Sequence, residues 1–315
     1  MTFLDVKESD DGTNISFKLK DVPMSVANGI RRSCLVEVPM VGIDIKTVSF
    51  DPDENGVNTS SMHDEMLVHR LAYALLDVNP KDSGDYSFHI CDPQNKDEPF
   101  ENRTEGIIDF TTSDICCFKG SSDQRIPSAK VFLGESLLTR LKPGQKLRST
   151  FSAIYRGVRL SNDGYRYSFQ PCKVKFSHPV QAETGTTPHT FALEITTHGF
   201  THIKAKDIVT EAIDVLRNKV TSLSTSEPKG VPDSVLPDCS LFTVLGEDHT
   251  LGRMLVETLE KMENVNFVAY MKTHALEQDM TLKLATGQDN NQILLQACER
   301  LSKLLDGVAQ QWAAV

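Results

Sequence analysis

Apolar and polar residues alternate at Ile15, Phe17 and Leu19, the period of a strand over residues 14–20. Asp21-Val22-Pro23 interrupts the run. The period then lengthens. Ala27, Ile30, Cys34 and Val38 recur at helical spacing, which predicts a helix over 24–37 with one buried stripe. Pro39 ends it, because a proline ring crowds the helical conformation of the residue before it. Residues 40–48 read as a strand and 51–56 as an acidic loop.

A second helix fits 62–76, with Asn58, Thr59 or Ser60 available as its cap. Residues 79–103, rich in Pro, Asp, Lys and Asn, read as a loop. Short strands separated by turns are expected over 107–176, among them 149–155. A hairpin is expected at Asn162-Asp163-Gly164, leading into a strand over 165–169. A strand over 191–197 precedes a helix capped by Asp207 and running to Val220, with Val209, Ala212, Leu216 and Val220 in register.

Apolar periodicity is lost over 221–238, where Ser, Thr, Pro and Gly dominate. Residues 221–237 therefore read as a linker. The tail is denser: strand 240–245, helix 250–262, strands 265–271 and 279–286, helix 290–308. Leu251, Met254, Leu255 and Leu259 share one helical stripe, and Leu294, Cys298, Leu301 and Leu305 share the other. Stripes this wide need a covering surface, and a segment of about 75 residues has a marginal core by itself. The tail is thus expected to dock on the first part of the chain. A faint repeat supports this: helix 24–37 and the strand after it echo helix 250–262 and its strand.

The chain has 315 residues, 39% hydrophobic and 24% charged, the balance of a globular protein. No apolar run is long enough to span a bilayer, and the first residues lack the pattern of a signal peptide. Seven scattered cysteines fit a reducing compartment better than a disulfide framework. The net charge of −10 argues against the whole chain as a nucleic-acid binder. Residues 1–120 hold 22 acidic and 11 basic residues, whereas residues 121–240 hold 11 acidic and 16 basic. The excess positive charge in the middle could face a polyanion or an acidic partner, but it is dispersed, as on a solvated surface.

Candidate chemistry is sparse. His63, Asp64, Glu65 and His69 could be read as a metal-dependent enzyme site, but the histidines are six apart and face different sides of a helix. Cys91, Cys116, Cys117 and Cys172 include no C-x-x-C pair, so no metal is expected. No Walker loop, dinucleotide fingerprint or nucleophile elbow occurs, and the acidic loop at 51–54 reads as a solvated turn. No catalytic residue and no cofactor are expected.

Val26-Ala27-Asn28-Gly29-Ile30-Arg31-Arg32, Glu37-Val38-Pro39-Met40-Val41-Gly42-Ile43-Asp44 and the run from Asn58 through His63-Asp64-Glu65 to His69-Arg70 resemble the alpha-type subunits of cellular RNA polymerases. The likeness is to the third-subunit family of eukaryotic RNA polymerase II. Leu141-Lys142-Pro143-Gly144-Gln145-Lys146-Leu147 resembles a hallmark of that family's inserted domain. Glu247-Asp248-His249-Thr250-Leu251-Gly252 and Val265-Asn266-Phe267-Val268-Ala269-Tyr270 are similar to the eleventh-subunit family, the usual heterodimer partner of the third. That family's Pro-His-Pro-Leu turn stands here as Thr273-His274-Ala275-Leu276, without the prolines.

This resemblance implies an α+β fold: two dimerisation domains, each of helices on an antiparallel sheet, paired within one chain, plus a mostly β insert. Residues 1–50 and 178–220 would form the first, 51–177 the insert and 238–315 the second. Ile30, Cys34, Leu251, Met254, Leu255, Leu259, Leu294, Cys298, Leu301 and Leu305 would line the pairing surface. Asn28, Arg31, Arg32, Asp64, Glu65, His69 and Arg70 would meet partner subunits. With Ile30 set against Met254, the tail has Leu255 and Val256 where the arginine pair falls, so the contact with a catalytic subunit would be one-sided. The implied function is a non-catalytic assembly platform of DNA-directed RNA polymerase. It would bind the second-largest and largest subunits and a small tenth-subunit-like protein, and touch DNA only indirectly. Fusion of the two subunits resembles the arrangement in large DNA viruses, which implies a viral factory in the host cytoplasm and the virion, or otherwise the nucleus. A free-standing adaptor is the remaining alternative.

Overall fold

The computed structural model describes all residues except 1, 121–123, 157–170, 178–189, 237, 273 and 275–278. The hairpin expected at 162–164, the strand at 165–169 and most of Thr273-His274-Ala275-Leu276 lie outside the described residues. Among the described residues five α-helices are seen: α1 (Met24–Val36), α2 (Asp64–Ala72), α3 (Ala205–Thr225), α4 (His249–Leu259) and α5 (Asn290–Ala313). The chain divides into two compact units. One comprises Met1–Val38, Pro171–Thr197 and Lys204–Val315; the other comprises Pro39–Gln170 and His198–Ile203.

Among its described residues the first unit holds two antiparallel sheets with four α-helices. One sheet has the order Thr2–Glu8, Asn14–Lys20, Thr190–Thr197, Cys172–Ser177. Its alternation works as the sequence dictates. Ile15, Phe17 and Leu19 are buried while Lys18 and Lys20 face water, and Phe17 stands opposite Leu193 in the neighbouring strand. The other sheet has the order Val231–Pro232, Cys239–Val244, Met280–Thr286, Val265–Met271, with Phe242 opposite Leu282. Helix α1 packs on α3 and α4, and α5 packs on α3 and α4. All ten residues expected on the pairing surface are buried here, none more than 1% exposed. The fold is α+β, two sheet-and-helix modules side by side, as the resemblance implies.

Two elements run longer than their periodicity predicts. Helix α3 continues past Val220 to Thr225, because Leu223 extends the same stripe and is buried. Its N-cap is Lys204; Asp207 sits three residues in and accepts the Lys204 backbone N–H at 2.9 Å. Helix α5 continues past Val308 to Ala313, carrying the buried Trp312. Its indole lies 5.1 Å, centroid to centroid, from Phe3 and from Phe17. The expected linker is correspondingly shorter. Residues 221–225 are helical and Val231–Pro232 already pairs with Ser240 and Leu241.

The second unit is built on a sheet of order Met40–Ile43, Lys146–Arg156, Tyr86–Ile90, Cys116–Lys119, Gln124–Ile126. A two-stranded sheet joins Ile108–Thr111 to Leu137–Leu141. Leu67 and Leu71 of α2 pack into its core with Phe88, Phe110, Leu141 and Phe151. The strand Tyr86–Ile90 lies where a loop is expected; its brief alternation is hidden by the Pro, Asp and Lys on either side. Helix α2 is shorter than 62–76, and its N-cap is His63, since Asn58 instead donates to Met62 O and Asp64. The strand expected over 40–48 stops at Ile43, where Asp44 accepts the Lys46 N–H and starts a 3-10 turn.

The sequence places domain boundaries at 50/51 and 177/178, whereas the compact units divide at 38/39 and 170/171. The difference is one of strand pairing. Met40–Ile43 pairs with Lys146–Arg156 in the second unit, and Cys172–Ser177 pairs with Thr190–Thr197 in the first.

Candidate functional site

Helices α1 and α4 approach closely at Gly29, where an added Cβ would lie 3.2 Å from Met254 Sδ. Set with Met24 against His249, the two helices carry nearly the same succession of buried and exposed positions. This corrects the sequence pairing by one residue: Ile30 matches Leu255, not Met254. Arg31 then matches Val256, and Arg32 matches Glu257. Helix starts defined by caps fix this register; apolar spacing alone tolerates a slip of one.

Arg32 and Glu257 each reach the N-terminus of the other helix. Arg32 Nε donates to Thr250 Oγ1 at 2.9 Å, and its fork lies 3.6 Å from the Asp248 carboxylate. Asp248 is itself the N-cap of α4 and accepts the Thr250 N–H. In return, Glu257 Oε2 accepts the Ser25 backbone N–H at 2.9 Å. Helix α1 starts at Pro23, which offers no capping side chain, so Glu257 satisfies a donor that the first turn leaves open. Its negative charge also suits the positive end of the helix. Burial pushes the Glu257 carboxyl up, but the Ser25 hydrogen bonds and Lys261, 3.0 Å away, outweigh this and hold it below its ordinary value.

Arg31 is half-buried and donates to Asn28 Oδ1 at 2.8 Å, one helical turn back. Burial, then the neighbouring Arg32, lowers the pKa of its guanidinium. The three residues expected to meet a partner from α1 thus separate into an Asn28–Arg31 pair and an Arg32 held against α4.

A second constellation has no local signal in the sequence. Lys219 of α3 lies 3.1 Å from both Glu37, just past α1, and Glu247, just before α4. The three side chains are 12%, 5% and 14% exposed, so the ammonium ties three segments together out of water. Arg217, two residues earlier, bridges Asp214 and Asp306 of α5 at the surface.

In the second unit, Asp64, Glu65, His69 and Arg70 are all exposed on α2. Arg70 also donates to Leu138 O at 2.8 Å. Among the described residues no three His, Cys, Asp or Glu side chains come together as metal ligands would, His63 and His69 included. Cys91 and Cys116 share a small buried cluster with Phe118, and Cys117 belongs to the main core. Cys172 lies in the first unit, its thiol 3.2 Å from Cys34 O.

Two sheets, each carrying a pair of helices that pack on the other pair, make one sheet-and-helix module present twice. Family comparison names it. The model for the RNA polymerase Rpb3/Rpb11 dimerisation domain matches residues 16–220, and a second model of that description matches 239–311. The chain belongs to this alpha-type RNA polymerase family. It is 25% identical over 223 residues to the DNA-directed RNA polymerase subunit Rpo3 of Methanocaldococcus jannaschii, covering 70% of this chain and 94% of the relative. It is 33% identical over 61 residues to the RNA polymerase II subunit rpb11 of Dictyostelium discoideum, 19% of this chain and 51% of the relative. It is 41% identical over 64 residues to RPB3 of Schizosaccharomyces pombe, 20% of this chain and 19% of the relative. The chain thus spans about half the length of the slime-mould relative and nearly all of the archaeal one.

Proposed function

We propose that this chain is a non-catalytic assembly platform of a multisubunit DNA-directed RNA polymerase, holding in one polypeptide what relatives carry as an Rpb3–Rpb11-type pair. The observation that carries this is the coincidence of two family matches with two sheet-and-helix modules packed in one compact unit. The platform binds the second-largest subunit through the Asn28–Arg31 side of α1 and through Asp64, Glu65, His69 and Arg70 of α2, with Arg32 bracing α1 from behind. The largest subunit and a small tenth-subunit-like protein complete the neighbourhood, and DNA is met only through them. Arginine suits the central contact because its planar fork pairs bidentately with carboxylates and carbonyls. In a virus such an enzyme works in the cytoplasmic factory and the virion, in a cell in the nucleus.

The test is affinity capture of the tagged full-length chain from its native source, followed by mass spectrometry. Recovery of the two largest polymerase subunits in stoichiometric amount supports the reading. A chain recovered alone or with unrelated proteins makes it a free-standing adaptor.

A further inference from the structure

The matching positions of α1 and α4 carry opposite charges, and the helix ends they meet differ in a complementary way. Pro23 and Asp248 occupy the same place before their helices. Where the N-terminus already holds a carboxylate, at Asp248, the opposing residue is the cation Arg32. Where the N-terminus has no capping side chain, at Pro23, the opposing residue is the anion Glu257. We propose that this charge reversal makes the pairing of the two halves heterotypic, selecting head against tail over a second copy of either. A tail paired with another tail would bring Glu257 against the Asp248 carboxylate. A head paired with another head would aim Arg32 at the positive end of α1, where Pro23 supplies no anion. Each mismatch is a repulsive element as well as a lost contact, which is how discrimination between similar partners is built.

The geometry makes the effect large enough to matter. Arg32, Asp248 and Glu257 have side chains 32%, 20% and 19% exposed, so their charges are only partly screened. The contacts sit at the two ends of one antiparallel helix pair, and Gly29 lets the axes approach between them. The inference rests on the reading of the two halves as an intramolecular pair.

The test uses the purified full-length chain without other subunits and follows its urea midpoint. Arg32→Met and Glu257→Gln remove one contact each. Arg32→Glu and Glu257→Arg impose the charges that a homotypic pair would carry. Each reversal is expected to lower the midpoint further than its neutral counterpart, and the excess should shrink in about 1 M salt, where the screening length falls to about 3 Å. Adding Asp248→Asn to Arg32→Glu should restore part of the loss. If Arg32→Glu does not fold, Glu257→Arg reads the same effect at the other end. Reversals no worse than neutral changes, or an excess indifferent to salt, overturn the inference. Because no polymerase partner is present, that outcome leaves capture of the large subunits, the readout for the proposed function, untouched.

Discussion

Trp312 donates its indole N–H to Thr210 Oγ1 at 3.0 Å, joining the last turns of α5 to the first turns of α3. The ring also covers Phe3 and Phe17 of the first sheet, so the end of the tail is anchored in the core of the head.

Removing that ring opens a cavity beneath the first sheet. Trp312→Ala is expected to cost about 3–5 kcal/mol, read as a lower urea midpoint. Trp312→Phe keeps most of the packing and loses the hydrogen bond to Thr210, so it should cost distinctly less. Equal losses for the two would mean that the ring contributes little by packing.

Lys219 holds two carboxylates away from water, and taking it away leaves them facing each other. Lys219→Met is expected to destabilise the chain by about 3 kcal/mol. Lys303→Met, at an exposed position on α5, is the surface control and should change little. Denaturation curves of the two variants decide it.

Glu257 is held below its ordinary carboxyl pKa of 4.5 in the folded chain. Its contribution is therefore complete above that value and is lost as pH falls through the lower, folded value. The stability difference between the wild type and Glu257→Gln should be constant near neutral pH and narrow in acid below 4.5. A difference that widens on acidification would contradict the capping role.

Gly252 packs its bare Cα against a ring. An added Cβ would lie 2.7 Å from Tyr270 and 3.0 Å from Met280 Sδ. Gly252→Val should cost about 1–3 kcal/mol through overpacking, measured by thermal melting.

Arg31→Ala should leave the melting curve of the isolated chain close to wild type, since Arg31 pairs with Asn28 on the same helix. Capture of the second-largest subunit should weaken by about 2–5 kcal/mol, the cost of truncating a buried charged anchor. Undiminished capture under dilution removes Arg31 from the interface.

The two modules were legible because strict periodicities run through them. Ile15, Phe17 and Leu19 alternate, and Leu294, Cys298, Leu301 and Leu305 form a stripe that the structure buries whole. What escaped was set by partners distant in sequence. Glu257 looks like a solvated charge until Ser25, 232 residues away, is placed against it. Lys219 has the same character: its carboxylates come from two other segments. Trp312 lies beyond the last clear repeat of its helix, and its cover comes from residues at the opposite end of the chain. The strand Tyr86–Ile90 is too short for its alternation to outweigh polar flanks; pairing with Lys146–Arg156 makes it.

The first sheet is split in the chain. Asn14–Lys20 pairs at once with Thr2–Glu8 but finds its second neighbour only at Thr190–Thr197, about 170 residues later. On a ribosome adding about 5–20 residues per second, the N-terminal hairpin waits on the order of 10–30 s with one edge open. An unpaired edge of that kind recruits other strands, its own sister chains on a polysome included. Lys20, exposed on that strand, is placed to repel such encounters until the rightful neighbour is made, whereas Lys18 is paired with Asp5 of the same hairpin.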